Sequence, residues 1–401
     1  MREGEILRRR SWLLAAGLTL SLMLAACVAP PAPSSSSPSM TLAPVAFTDL
    51  PGWAQDDSAA ALSTFMRSCA RLAVMPADQR LGGEGLAATR GGRAEAWRGL
   101  CEQARHVPAG DQTAARQFFE TGFQPYQIGD ASQGDALYTG YYEPTLRGAR
   151  SPGGAFQTPL LGRPLDLVTA DLGEFAADLK GHHIVGRVVN GRLAPYPTRA
   201  EIDAGALASQ RLALLWVNSP IDAFFLQIQG AGRIALPDGT LVRVAYAGQN
   251  GRPYVPIGRL LAARGEISAD QISEQTIRAW LTAHPKAAQA VMEENPNYVF
   301  FRELRDYPAD LGPPGTLGAP LTPGRSLAID REFIPLGAPV FIATTDPLKQ
   351  APLARLMVAQ DLGGAITGPL RADIFFGWDK DAADRAGRMN ARGAEYLLLP
   401  R

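Results

Sequence analysis

Residues 359 to 377 read AQDLGGAITGPLRADIFFG: two short apolar runs, each carrying one aspartate, joined by glycines and a proline. The runs are of strand length and the punctuation between them is that of turns. The same texture extends outward in both directions. SLAID, APVFIATT and RLMVAQD precede it, and EYLLL follows it beyond a short helix expected near Ala382 to Asn390 that stops at Gly393. Many short strands with few helices predict a mainly β chain built around a barrel.

Upstream the β texture begins after Asp135, in ALYTGYYEP, HHIVGRVVNGRLAPYP and LALLWVNSPIDAFFLQIQGAGRIALPDGTLVRVAYAG. Pro237-Asp238-Gly239-Thr240 reads as a hairpin turn. A helical interlude is expected from Ser273 to Glu294, divided at Pro285. From Asp56 to about Gln127 apolar residues recur at helical spacing, as in Ala61, Leu62, Phe65 and Met66.

The N-terminus reads as an export signal. Arg8-Arg9-Arg10 precede an apolar run from Trp12 to Ala26 that is short for a bilayer span, and Cys27 follows. Leu24 to Cys27, LAAC, is similar to a bacterial lipobox, so residues 1–26 are expected to be a lipoprotein signal peptide and Cys27 the lipidated residue. Val28, not an aspartate, after the cysteine favours the outer membrane. Arg9-Arg10 leaves both general and twin-arginine export open. The Pro/Ser-rich stretch Val28 to Ser39 suits a flexible tether, assigned to residues 27–50.

The chain has 39 Lys plus Arg and 39 Asp plus Glu, so no basic surface predicts nucleic-acid binding. Its four histidines stand in no metal-binding spacing, so neither a metal nor a cofactor is expected; His182 and His183 on a strand would face opposite ways. Cys69 and Cys101 are available to pair in an oxidising compartment, or to stand as two buried thiols.

Three aspartates are candidates for chemistry. Asp330 closes SLAID, Asp361 closes RLMVAQD, and Asp373 precedes Ile374-Phe375-Phe376. Strand-end aspartates commonly bond backbone amides. Asp373 differs, because alternation sets it on the face of Phe375, where burial without a cation would raise its pKa and suit it to donate a proton. Tyr141, Tyr142, Gln229, Asn250 and Tyr254 are of the types that stack on and bond to sugars, and are equally the makings of a core. Glu143 is a second carboxylate in the same region.

In this order GYYEP, QIQGAG, YAGQNGRPYVPIG, NPNYVFF, AIDREFIPLG and AQDLGGAITGPLRADIFFG resemble the membrane-bound lytic murein transglycosylase A family, whose C-terminal part is called the 3D domain. Asn297 stands where a serine is expected. The resemblance covers roughly Ala136 to Leu399 and implies a double-psi β-barrel (residues 131–157 and 246–401, with the 3D motif at 320–399). A smaller β domain at 158–245 would be inserted as the other wall of a glycan groove, after an N-terminal helical region at 51–130. It implies a single catalytic Asp373, general acid then base, supported by Asp361 and Asp330, with Gly230 and Gly364 added to the substrate-binding set. The implied reaction is cleavage of the β-1,4 bond between N-acetylmuramic acid and N-acetylglucosamine of peptidoglycan, giving 1,6-anhydro products. The implied setting is a monomer on the periplasmic face of a Gram-negative outer membrane; no docking motif for a wall-synthesis complex is present. Two alternatives stand beside it. A hydrolase would use Asp361 as base for a water, and a wall-binding lipoprotein would need no catalyst. An aspartic protease lacks its D-T/S-G signature.

Overall fold

The computed structural model describes residues 39–130, 134–179 and 183–401; the expected signal peptide, the lipidated Cys27 and His182 lie outside the described residues. Six strands close on themselves. In spatial order they are Asn390–Pro400, Pro339–Thr345, Pro352–Leu362, Ser326–Ile329, Arg371–Phe375 and Ala136–Tyr141, which returns to pair with Asn390–Gly393. Closure removes the open sheet edges. Two neighbours in the ring are parallel, Ser326–Ile329 with Pro352–Leu362 and Arg371–Phe375 with Ala136–Tyr141; the others are antiparallel. The mainly β expectation holds.

From Tyr396 onward the strand Asn390–Pro400 also pairs, on its other edge, with Phe123–Gly129, which pairs in turn with Thr41–Pro44. Two expectations are corrected here. The end of the supposed tether is an ordered strand, because its backbone completes a sheet edge. The helical region ends at Gly122, where Phe123 turns into the core and begins a strand.

The helices Ser58–Leu72, Gly85–Gly91, Glu95–Arg105 and Gln112–Gly122 cover this sheet. Asp57 and Asp111 cap two of them through the amides of Ala60 and Ala114. Phe65, Trp97, Phe118, Phe119 and Phe123 cluster with ring centroids 5.1 to 6.4 Å apart, and burial of each contributes roughly 2–3 kcal/mol. A disulfide between Cys69 and Cys101 ties the first of these helices to the third.

A second sheet of six strands runs Val299–Glu303, Leu241–Gln249, Ala231–Ala235, Thr145–Ala149, Ala213–Val217, Thr158–Leu161. Its strands span 145 to 303, wider than the 158–245 expected. The chain does not return to the barrel at Tyr246, because Leu241–Gln249 takes Val299–Glu303 as its neighbour; the next barrel strand is Ser326–Ile329. A three-stranded meander, Val168–Asp171, His183–Val189 and Arg192–Pro195, accompanies it.

Two local readings also change, and one holds. SPIDAFFLQIQG forms a helix, Pro220–Gln229, not strand. Ser219 caps it, Pro220 is its first residue, and Gly230 ends it at φ 79°. The interlude does divide at Pro285, into Glu274–Ala283 and Pro285–Glu293. Gly393 is no helix stop, since the last helix is Lys380–Arg388 and Gly393 lies in the closing strand. A Cβ there would lie 2.1 Å from the Ala343 carbonyl oxygen.

Candidate active site

The aspartates meet through strand register. Ala328 stands opposite Asp373 on one side and opposite Asp361 on the other. Asp373 is in turn opposite Thr139, and Thr139 opposite Asn390. A bulge at Gln360 creates this row: Leu327 pairs with Ala359, but Ala328 pairs with Asp361, one residue further than an unbroken ladder would give. Residues directly opposite share a sheet face, so both carboxylates project to one side across the small Ala328. Leu327, Ile329, Ala372 and Ile374 alternate with them and enter the core.

Asp373 is only partly buried by its surface, yet burial of its carboxyl raises the pKa to about 6. The Thr139 hydroxyl bonds Oδ1 at 2.8 Å and the positive charge of Arg371 lies nearby; both oppose that rise, and the Asp361 charge adds to it. The expectation of a carboxyl without a cation is therefore corrected. Arg371, two residues earlier on the same face, gives Nη1 to Thr139 Oγ1 at 3.1 Å and so acts on Asp373 through the threonine.

Asp361 is held differently. Oδ1 accepts from the amide and hydroxyl of Thr316, both at 2.9 Å, and Oδ2 accepts from the Tyr141 hydroxyl at 3.1 Å. Burial raises its pKa and these donors oppose the rise. With three donors directed at it, Asp361 is held in one orientation with its oxygens engaged, poorly placed to activate a water. Asp330 bonds neither of the other two: its oxygens accept from the amides of Glu332 (3.0 Å) and Gly368 (2.8 Å), shaping the loop that follows Asp361.

The aromatic and amide residues divide into three groups. Tyr141 lies within the site, its ring 5.3 Å from that of Phe375. Tyr254 is partly exposed; burial raises its phenol, and the Asp373 charge adds to the rise, which sets it within electrostatic reach of the acid. Tyr142 and Gln229 form a second cluster around Glu274, which accepts from the Tyr142 hydroxyl at 3.2 Å and from Gln229 Nε2 at 3.1 Å.

Asn250 is corrected to a scaffold residue. It is fully buried, its amide bonds the carbonyls of Pro197 and Pro296, and its oxygen accepts from the amides of Arg252 and Tyr298. Gly230 is a helix end, while Gly364 is exposed with open space where a Cβ would stand. Asn297 bonds Gln249 and the Arg252 carbonyl. Glu143 is fully buried between Arg233 (3.0 Å) and Arg243 (2.7 Å), pinning the barrel strand Ala136–Tyr141 to the second sheet.

Thr139, Arg371, Thr316 and Glu274 were not singled out from the sequence. Arg371 alone carried a readable signal, its two-residue spacing from Asp373. Among the described residues no group of three or more potential ligands is placed to hold a metal ion.

Residues 137–302 match the family model described as the MltA specific insert domain, and residues 325–399 match the 3D domain. Membrane-bound lytic murein transglycosylase A of Escherichia coli (strain K12) is 34% identical over 304 residues, covering 72% of each chain. The structure is similar to that of a membrane-bound lytic murein transglycosylase from Agrobacterium tumefaciens, with TM-score 0.79 and 35% identity over 90% of this chain and 98% of that one. It is also similar to E. coli MltA with bound chitohexaose, with TM-score 0.61 and 29% identity over 91% and 93% of the two chains.

Proposed function

We propose that this chain, which belongs to the membrane-bound lytic murein transglycosylase A family, cleaves its substrate with one carboxylic acid, Asp373. The chain is a lytic transglycosylase of peptidoglycan. The observation that carries the assignment is the row in which Asp373 stands on the face turned from the core, beside Thr139 and across Ala328 from Asp361.

Protonated Asp373 gives its proton to the oxygen joining N-acetylmuramic acid C1 to N-acetylglucosamine. The C1–O bond breaks and the N-acetylglucosamine side leaves as an alcohol. Positive charge then develops at C1. The Asp373 carboxylate next takes the proton of the muramoyl C6 hydroxyl as O6 bonds to C1. The anhydro ring forms, the acid is regenerated, and no water is consumed. A pKa of about 6 suits both halves: roughly a tenth of the acid is protonated at pH 7, and its conjugate base is still basic enough for the return. Thr139, fixed by Arg371, orients the carboxylate. Asp361 supplies a negative charge that favours the protonated form and stabilises the cationic sugar. No second carboxylate is needed, because the nucleophile belongs to the substrate.

The six-stranded ring, with its two parallel pairs, supports reading it as the double-psi barrel, and the chitohexaose-bound relative supports a glycan groove walled by the second sheet. Tyr141, Tyr254 and Gly364 would line it near the acid, with Tyr142 and Gln229 further along. The relative is membrane-bound by name, and among the described residues no helix is long and apolar enough to cross a membrane. We read Cys27 as the lipid anchor and the outer membrane, on its periplasmic side, as the location. Mass spectrometry of peptidoglycan digests tests the reaction: anhydro products from wild type, and their loss in Asp373→Asn, are expected.

A further inference from the structure

Beside Asp373 lies a cleft that the proposed reaction does not use. One step along the same sheet face, Arg371 and Arg392 stand in register on either side of Leu137. Two residues of strand span about 7 Å, so this row lies that far from the row of Asp373, Thr139 and Asn390. A cleft of about 360 Å³ opens here, lined among others by Leu137, Arg371, Arg392, Asp130, Asp135 and Gly368. The Asp330 carboxylate holds its far wall through the Gly368 amide.

Among the described residues both guanidinium groups are bonded only to neutral oxygens. Arg371 gives Nη1 to the Leu137 carbonyl and the Thr139 hydroxyl, each at 3.1 Å, and Arg392 gives Nη1 to the Asp135 carbonyl at 3.0 Å. Among the described residues neither is ion-paired. Two unpaired cations at the wall of a cleft present forked donors that match a carboxylate.

We propose that this cleft binds a carboxylate of the peptide substituent carried by the muramoyl sugar, with Arg371 and Arg392 as its anion-binding pair. The proposal rests on the transglycosylase reading and names the part of the substrate read beside the scissile bond. Where a peptide is attached, the lactyl carboxyl of the muramoyl sugar is tied up as an amide and the glycan itself is neutral, so the carboxylates that a cation pair one step from the acid can meet there are those of the peptide. The peptide brings carboxylates and amines together.

The test uses the full-length protein on peptide-bearing glycan strands and on the same strands stripped by an amidase, with the lactyl carboxylates so freed converted to amides. Arg392 is exposed, so its replacement leaves the core intact. Arg392→Ala is expected to lower the ratio of kcat/KM on peptide-bearing over stripped strands about tenfold. Arg392→Lys is expected to recover part of that ratio, and converting the strand carboxylates to amides is expected to reproduce the drop with wild type. A ratio within twofold of wild type, or an equal loss on both substrates, would overturn the site. Absence of cleavage of either strand by wild type would instead overturn the enzyme reading beneath it.

Discussion

The Thr139 hydroxyl donates to Asp373 Oδ1 at 2.8 Å, and the two residues are register partners on parallel strands that are distant in sequence. The bond favours the carboxylate form and fixes its rotamer, while Arg371 holds the threonine oxygen from the other side. One side chain thus orients the acid and also opposes the rise in pKa that burial causes.

Thr139→Val removes the bond while keeping the shape. Asp373 must be protonated to act, so activity falls as pH rises through its pKa. Without the threonine donor that pKa rises, and the alkaline limb of the pH–kcat profile is expected to move up by about one unit, with kcat about tenfold lower. A profile measured from pH 4 to 9 checks it; an unmoved limb would mean that Thr139 only packs.

Asp361→Asn removes the charge that raises the Asp373 pKa. The alkaline limb is expected to move down, and kcat to fall by about tenfold, with anhydro products still formed. Abolished cleavage, together with reducing-end products from wild type, would assign Asp361 as the base of a hydrolase.

Glu395 is buried in the closing strand, neither carboxyl oxygen has a hydrogen-bond partner among the described residues, and burial alone raises its pKa from 4.5 to about 8. The folded pKa lies above the unfolded one, so its contribution is whole below about pH 4.5 and is lost as pH rises through 8. The slope approaches about 1.4 kcal/mol per pH unit within that window. Glu395→Gln is expected to flatten this part of the stability profile, measured by urea unfolding at pH 5, 6.5 and 8.

Replacing both Cys69 and Cys101 by serine opens a loop spanning 32 residues of separation. Unfolding free energy is expected to fall by roughly 3 to 4 kcal/mol on a chain-entropy basis, with kcat unchanged for the folded protein. Denaturant titration with and without reductant checks it.

How far the sequence was legible follows from the range of each signal. The barrel strands were readable because their apolar runs and turn residues are local. The boundary of the second sheet was not, since Val299–Glu303 looks like any buried strand and only its neighbour decides its sheet. The helix Pro220–Gln229 was missed although its Ser-Pro start and Gly230 end were both present, because its apolar content also fits a strand. Within the site, Asp373 stood out by its apolar surroundings. Thr139 is an ordinary strand residue until register sets it opposite Asp373, and Asp361 faces it only because of the bulge at Gln360. Asn250 looked like a sugar ligand by type alone, and its burial shows a backbone-bonding role.

The most direct test of the central claim is a digest of purified peptidoglycan by wild type and Asp373→Asn side by side, analysed by mass spectrometry. The account predicts soluble muropeptides lighter by one water from wild type, and a rate at least about a hundredfold lower from the variant, with its fold intact by circular dichroism. Anhydro products released by Asp373→Asn at the wild-type rate would contradict it.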